Sequence, residues 1–176
     1  MKIINLPISK SDIKDLKIGE EVFLSGTIYT ARDAAHKRME DTLNRGEKLP
    51  IEIEDACIYY AGPCPAKPGQ VIGSCGPTTS SRMDAYAPRF YDLKMGCVIG
   101  KGPVGQAVKE AIKRNKSCYF AATGGAGALI GSSIKKVSVV AYEDLGAESI
   151  KKMEVVDLPA IVAVKDDEDI FNIKNK

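Results

Sequence analysis

The 176-residue chain predicts an α/β fold in a single domain, and three observations carry that prediction. Segments rich in β-forming residues alternate with segments of helical period, most clearly where residues 95–99 pass through a Gly-Pro turn into residues 104–114. The length suits one domain that buries its own core without disulfide or metal staples. Neither an internal repeat nor a long linker divides the sequence.

Taken in order, residues 11–16 form a short turn or helix, and residues 21–29 (EVFLSGTIY) read as a strand. A helix follows from Arg32 to about Arg45, because Ala31, Ala35, Met39 and Leu43 recur every fourth position and make one apolar stripe, with Gly46 as its stop. Thr30 is the expected N-cap with Asp33 at capping-box spacing, which puts Arg32 in the first turn. A cation there opposes the helix dipole by about 0.3 to 1 kcal/mol unless an anion lies beside it. Arg32 and the only histidine, His36, are four apart and share a face. His36 is either a packing and capping residue or a member of a site.

Residues 61–69 are dense in Pro and Gly and form a loop, a site wall or a plain connection, between short strands at 56–60 and 71–74. Residues 81–93 are expected to be helical, with Ser81 and Asp84 at capping-box spacing. Residues 95–99 are a buried strand, 100–103 a turn, and 104–114 a helix with Pro103 at its favoured first position. Residues 117–122 are the next strand, and the small residues 124–130 a helix or loop where backbones can approach closely. Residues 136–142, 153–156 and 160–164 are strand-like, and Asp166-Asp167-Glu168-Asp169 is a solvated turn.

Composition excludes several classes of function. With 25 Lys and Arg against 23 Asp and Glu, total charge gives no reason to expect nucleic acid or an anionic membrane as partner, so any recognition of anions is local. No apolar run approaches the roughly 20 residues that span a bilayer, the first seven residues are too polar for a secretory signal, and a cytoplasmic setting is expected. Five cysteines, odd in number and without a C-x-x-C pair, argue against a disulfide framework or a zinc site and read as free thiols.

Two segments have the composition of an anion site. In Gly76-Pro77-Thr78-Thr79-Ser80-Ser81-Arg82-Met83-Asp84 a turn delivers hydroxyls and a guanidinium to a helix start. Arg82 either pairs with Asp84 or another acid, or grips a ligand carboxylate through two parallel hydrogen bonds. With Arg32 upstream, the pair suggests a pocket for a substrate with two negative ends. Gly100-Lys101-Gly102-Pro103-Val104-Gly105 matches G-x-G-x-x-G after a strand, but the following strand has no acidic residue for a ribose, so the dinucleotide fingerprint is incomplete. Lys101 beside backbone N–H groups at a helix start still suits a carboxylate or phosphate. Gly124-Gly125-Ala126-Gly127 is a phosphate cradle without the Lys-Ser or Lys-Thr of a Walker loop, or a close-packing segment.

Four blocks together resemble the β subunit of the two-subunit class I fumarate hydratases and the relatives that dehydrate L-tartrate: SGTIYTARDAAH at 25–36, GPTTSSRMDAY at 76–86, Gly100-Lys101-Gly102, and GGAGAL at 124–129. The similarity covers most of the chain, taken as one domain over 1–176. The resemblance implies a swivelling β/β/α domain, a mixed sheet with flanking helices, that supplies half of an active site. It implies a partner α subunit, in an α2β2 assembly in that family's manner, holding a [4Fe–4S] cluster through three cysteines that are not those of this chain. Carried over residue by residue, Arg32, Arg82 and Lys101 grip the substrate carboxylates, Thr78 is the proton acceptor with Thr79 beside it, and His36 orients. The expected reaction is hydration of fumarate to malate, a C4 dicarboxylate. L-Tartrate dehydration is the alternative within the class, and a stand-alone anion or nucleotide-binding module the alternative outside it.

Overall fold

The computed structural model describes residues 2–122 and 127–172. Eight strands pair into one mixed sheet. They are β1 (Lys2–Asn5), β2 (Glu21–Thr30), β3 (Cys57–Tyr59), β4 (Cys97–Gly100), β5 (Cys118–Ala121), β6 (Ile134–Ala141), β7 (Ile150–Lys165) and β8 (Glu168–Asp169). The helices are α1 (Lys10–Asp15), α2 (Asp33–Asn44), α3 (Ala87–Asp92), α4 (Gln106–Arg114) and α5 (Gly127–Ser133).

β2, β3, β4 and β5 run parallel to one another in that order. β7 then pairs antiparallel with β5 through its C-terminal part and with β2 along nearly the whole of β2, so the hydrogen bonding closes on itself as a ring of five strands. β1 extends the sheet from β2, while β6 and β8 pair with β7.

Alternation along each strand divides the buried side chains between two cores, as the two-residue period requires. Cys57 and Tyr59, Cys97 and Ile99, and Cys118 and Phe120 pack with Val22, Leu24, Leu158 and Val162 in one of them. Their neighbours Ile58, Val98 and Tyr119 face the other, against Ala35 and Met39 of α2, Phe90 and Tyr91 of α3, and Val108 and Ile112 of α4. Full burial of one such side chain is worth about 1.5 to 3 kcal/mol, so the helical layer is held mainly by this stripe-to-sheet packing.

The apolar stripe expected on the second helix is present: Ala31, Ala35 and Met39 are buried and Leu43 packs against them. Several boundaries differ from expectation for local reasons. β2 runs on through Thr30, so Thr30 is a strand residue rather than a cap, and Arg32 is itself the N-cap. Thr30 Oγ1 instead accepts from Lys151 N at 3.2 Å. The helix expected over 81–93 breaks into a 3₁₀ turn, Ser80–Met83, and α3, which starts afresh with Pro88 in its first turn because proline lacks the N–H that a continuous helix would need. Pro103 does not begin α4, whose N-cap is Gly105.

Residues 71–74 form no strand; Cys64 N donates to Ser74 O and Gly73 N to Cys64 O, so this stretch folds back on its own loop. Residues 153–156 and 160–164 belong to the single strand β7, which passes a bulge near Asp157. Residues 166–169 turn and re-enter the sheet as β8, and Asp169 is a buried partner of Lys109 at 3.1 Å rather than a solvated acid. Of the small-residue segment 124–130, residues 124–126 lie outside the described residues, and α5 begins at Gly127.

Candidate functional site

Register places the predicted residues at one end of the sheet. Thr30 stands opposite Tyr59, Tyr59 opposite Ile99, and Gly100 opposite Ala121, so the parallel strands β2 to β5 finish side by side. Arg32 follows the end of β2 by two residues, and Lys101 follows Gly100 directly. Thr78 is tied to the end of β3 by its N–H, which donates to Tyr60 O at 2.7 Å, and Thr79 forms an isolated parallel bridge with Lys101. The crevice beyond the carboxyl ends of parallel strands is where α/β sheets bind ligands.

Arg82 lies in the 3₁₀ turn that follows, half exposed, and its Nη2 donates to Asp33 Oδ2 at 2.5 Å. Its partner is thus Asp33, the first residue of α2, and not Asp84, the acid named in the sequence reading. This ion pair joins the second block to the first. One carboxylate contact leaves the rest of the guanidinium fork, with its other N–H donors, available.

Arg32 is 26% exposed by side chain. Its Nε sits 4.0 Å from Glu148 Oε1 and is a buried donor without a hydrogen-bond acceptor among the described residues. Glu148 also accepts from Ala34 N at 3.3 Å. The N-terminus of α2 therefore has two carboxylates, Asp33 and Glu148, which offset the penalty of a cation at that end. Gly62 lets the arginine lie flat on the loop, since a Cβ there would fall 2.8 Å from Arg32 Nη1.

His36 is 2% exposed and surrounded by the rings of Tyr60, Tyr86 and Phe90. Its Nδ1 lies 2.8 Å from Arg32 O, and since a carbonyl can only accept, Nδ1 carries the proton. Burial pulls its pKa down from 6.5 to about 4, against smaller opposing effects of that hydrogen bond and of Asp33. His36 is therefore neutral at pH 7 and braces the backbone of Arg32 from behind. Because Arg32 has extended rather than helical backbone, the two side chains do not share a helix face.

Lys101 is partly exposed, and its ammonium has no hydrogen bond or ion pair among the described residues. Its backbone is held tightly: Ser80 N donates to Lys101 O at 2.9 Å, and Lys101 N to Ser80 Oγ at 3.0 Å. Sequence reasoning did not single out Ser80, Tyr119, Gly62 or Glu148. Only the first had a local signal, as one hydroxyl among four in a row. Three cavities of about 650, 440 and 230 Å³ lie elsewhere and include none of the six predicted residues.

The G-x-G-x-x-G turn is accounted for differently. Gly105 N, at the start of α4, donates to Asp84 Oδ2 at 3.0 Å, and a Cβ on Gly105 would fall 2.7 Å from that oxygen. A carboxylate of the protein itself occupies the place where a dinucleotide fingerprint receives pyrophosphate. Burial raises the Asp84 pKa while the Gly105 hydrogen bond lowers it.

The cysteines do not suit a cluster. Cys57, Cys75, Cys97 and Cys118 are buried, Cys64 alone is exposed, and among the described residues no group of three or more His, Cys, Asp or Glu could hold a metal ion. Burial pushes the Cys75 thiol up to about 12, so it is protonated at pH 7.

The family model described as Fumarase C-terminus matches residues 1–173. The chain is 37% identical over 167 residues to "Fumarate hydratase class I, aerobic" of Salmonella typhimurium, covering 93% of this chain and 29% of that one. It is 37% identical over 164 residues to "Fumarate hydratase 2" of Leishmania major, covering 91% of this chain and 29% of the relative. With "L(+)-tartrate dehydratase subunit beta" of Escherichia coli it shares 29% identity over 168 residues, covering 93% of this chain and 82% of the other. The chain thus spans under a third of the length of the two fumarate hydratases, and most of the tartrate dehydratase subunit.

Proposed function

As this chain belongs to the fumarase C-terminus family, we propose that it is the β subunit of an iron–sulfur hydro-lyase acting on a C4 dicarboxylate, with fumarate and malate as the favoured pair. The observation that carries the reading is the gathering of Arg32, Thr78, Thr79, Arg82 and Lys101 at the carboxyl end of four parallel strands. Two arginines and a lysine there can hold the two carboxylates of a short substrate. Arg32 Nε, buried without an acceptor among the described residues, suits a substrate oxygen, because leaving such a donor unpaired costs about 1 to 3 kcal/mol.

In the dehydration direction Thr78 Oγ1, relieved of its own proton by a neighbour, takes the proton from carbon, the freed electron pair forms the C=C bond, and the hydroxyl on the adjacent carbon departs and is protonated to water; the Thr78 backbone is fixed by Tyr60. Thr79 lies beside it, and His36 keeps the Arg32 carbonyl, and with it the entry to α2, in place. A free threonine hydroxyl is too weak a base, so its activation falls to neighbours that include the α subunit. The [4Fe–4S] cluster belongs to that α subunit, since the thiols of this chain are buried or solitary. The assembly is α2β2, the chain alone is inactive, and the domain swivels against its partner in the family's manner. Cytoplasm, which keeps thiols reduced, suits five free cysteines.

L-Tartrate dehydration is the second reading, favoured by one observation: relatives whose length this chain nearly fills are named as tartrate dehydratase β subunits. Anaerobic reconstitution with a cluster-bearing α subunit tests both, with fumarate, malate and L-tartrate supplied separately. Turnover of fumarate or malate above that of the α subunit alone supports the first reading, and turnover of L-tartrate only supports the second. Tight nucleotide binding by this chain, with no hydro-lyase activity in the complex, refutes both.

A further inference from the structure

The turn that bears Lys101 is closed by a ring of hydrogen bonds whose direction is fully determined. Tyr119 Oη lies 2.8 Å from Gly102 O, and because the carbonyl only accepts, the tyrosine donates. Tyr119 Oη is also 2.8 Å from Ser80 Oγ, so with its one proton spent the tyrosine accepts there and the serine donates. Ser80 Oγ in turn accepts from Lys101 N at 3.0 Å. The sequence Lys101 N–H to Ser80 O–H to Tyr119 O–H to Gly102 C=O leaves the turn at one residue and re-enters it at the next.

The surroundings are built for this ring. Ser80 is 1% exposed and Tyr119 1%. Gly100 has no Cβ because one would fall 1.9 Å from Ser80 Oγ, and Gly102 takes a left-handed φ of 78° to turn its carbonyl. The Ser80 N–H to Lys101 O bond and the Thr79–Lys101 bridge lock the threonine segment to the same turn. A generic core would satisfy these buried groups in many ways; here every bond acts on the two residues around Lys101.

We infer that Ser80 and Tyr119 are positioning residues that fix the origin of the Lys101 side chain, and its spacing from Thr78 and Thr79, for substrate carboxylate recognition. The inference rests on the proposed hydro-lyase reading, in which Lys101 meets a substrate carboxylate. Neither residue touches substrate. Losing either hydroxyl opens the ring, and a lysine displaced by about 1 Å costs on the order of ten- to a hundredfold in kcat/KM.

The test uses the reconstituted complex, with Tyr119→Phe, Ser80→Ala, the double variant, and Tyr91→Phe as control. Tyr91 also gives one buried hydroxyl to a carbonyl, Cys118 O at 3.0 Å, but outside the ring. KM for the dicarboxylate is expected to rise on the order of tenfold in each ring variant, with kcat falling less, while Tyr91→Phe keeps the wild-type KM. The double variant should lose no more than the worse single one, because one opened ring cannot be opened twice. Amide hydrogen exchange at Lys101, read on the full chain, should accelerate in the ring variants and not in Tyr91→Phe.

Unchanged exchange at Lys101, unchanged KM, or a KM that rises equally in Tyr91→Phe overturns the inference. Ser80→Ala removes a single oxygen and keeps the test open if Tyr119→Phe does not fold. If the wild-type complex turns over neither fumarate nor L-tartrate, the hydro-lyase reading fails instead, and exchange at Lys101 still decides whether the ring holds the turn.

Discussion

Lowering the pH from 7 to 4 should destabilise this protein through His36 in a way that one substitution isolates. The unfolded chain takes up the imidazole proton near pH 6.5, whereas the native state resists it down to about 4, so the unfolded state binds more protons throughout that window. Stability therefore falls as the pH falls, at up to about 1.4 kcal/mol per pH unit. Taken between pH 7 and pH 5 the loss is about 2 kcal/mol, and by pH 4 about 3 kcal/mol. Desolvation by Tyr60, Tyr86, Phe90 and the rest of the helical core causes most of it, reduced by the bond to Arg32 O and by Asp33. Urea unfolding of the full chain at pH 7, 6, 5 and 4 gives the profile. His36→Gln keeps an N–H for Arg32 O without a titratable ring, and subtracting its profile removes the carboxylates common to both proteins. A difference that narrows by about 2 kcal/mol from pH 7 to 5 agrees with the burial described. Parallel profiles would refute it, because they would mean that the imidazole titrates alike in both states.

Three further outcomes follow from the geometry. Arg82→Lys should lower kcat/KM of the reconstituted complex by about tenfold or more, because an ammonium cannot hold Asp33 and a substrate carboxylate with the geometry of a guanidinium; wild-type kinetics would contradict this. Gly62→Ala should raise KM, read in steady-state kinetics of the reconstituted complex, since the added methyl falls 2.8 Å from Arg32 Nη1 and 2.9 Å from its Cδ, with Ala147 O at 3.3 Å, and displaces the arginine. Asp169→Ala should destabilise the chain by about 1 kcal/mol in denaturant titration, because it removes the carboxylate paired with the partly exposed Lys109 ammonium; no measurable change would show that the pair contributes nothing to stability.

Elements with a clean local period were legible in the sequence. The stripe through Ala35 and Met39 and the β-branched run of β2 have no competing local signal. The sequence predicts two strands, 153–156 and 160–164, where β7 is one, and Pro159, a residue that normally avoids a strand interior, lies within it. The fold accommodates it where the ladder is already irregular: Asp157 takes a φ of 54° and its N–H goes to Ser25 Oγ at 2.9 Å. Thr30 reads as a cap in sequence, yet its hydroxyl has a partner 121 residues away, Lys151 N, which no local rule can see. The site residues were read from block resemblance and composition. What brings Arg32, Thr78 and Lys101 to one edge is the order of the parallel strands, a long-range property. In sequence His36 reads either as a packing and capping residue or as a site member; in the structure three aromatic rings and a carbonyl surround it.

The ring of strands is completed by β7, whose partners in β2 lie 121 and 127 residues earlier. Nothing nearer in sequence can supply that edge, so during synthesis β2 and β5 must wait unclosed until residues 150–165 emerge. Loop closure of this span makes folding a late, slow event rather than a progressive one. A chain stopped before β7 would leave two open edges and an apolar lumen, the profile of a nascent chain that needs a chaperone.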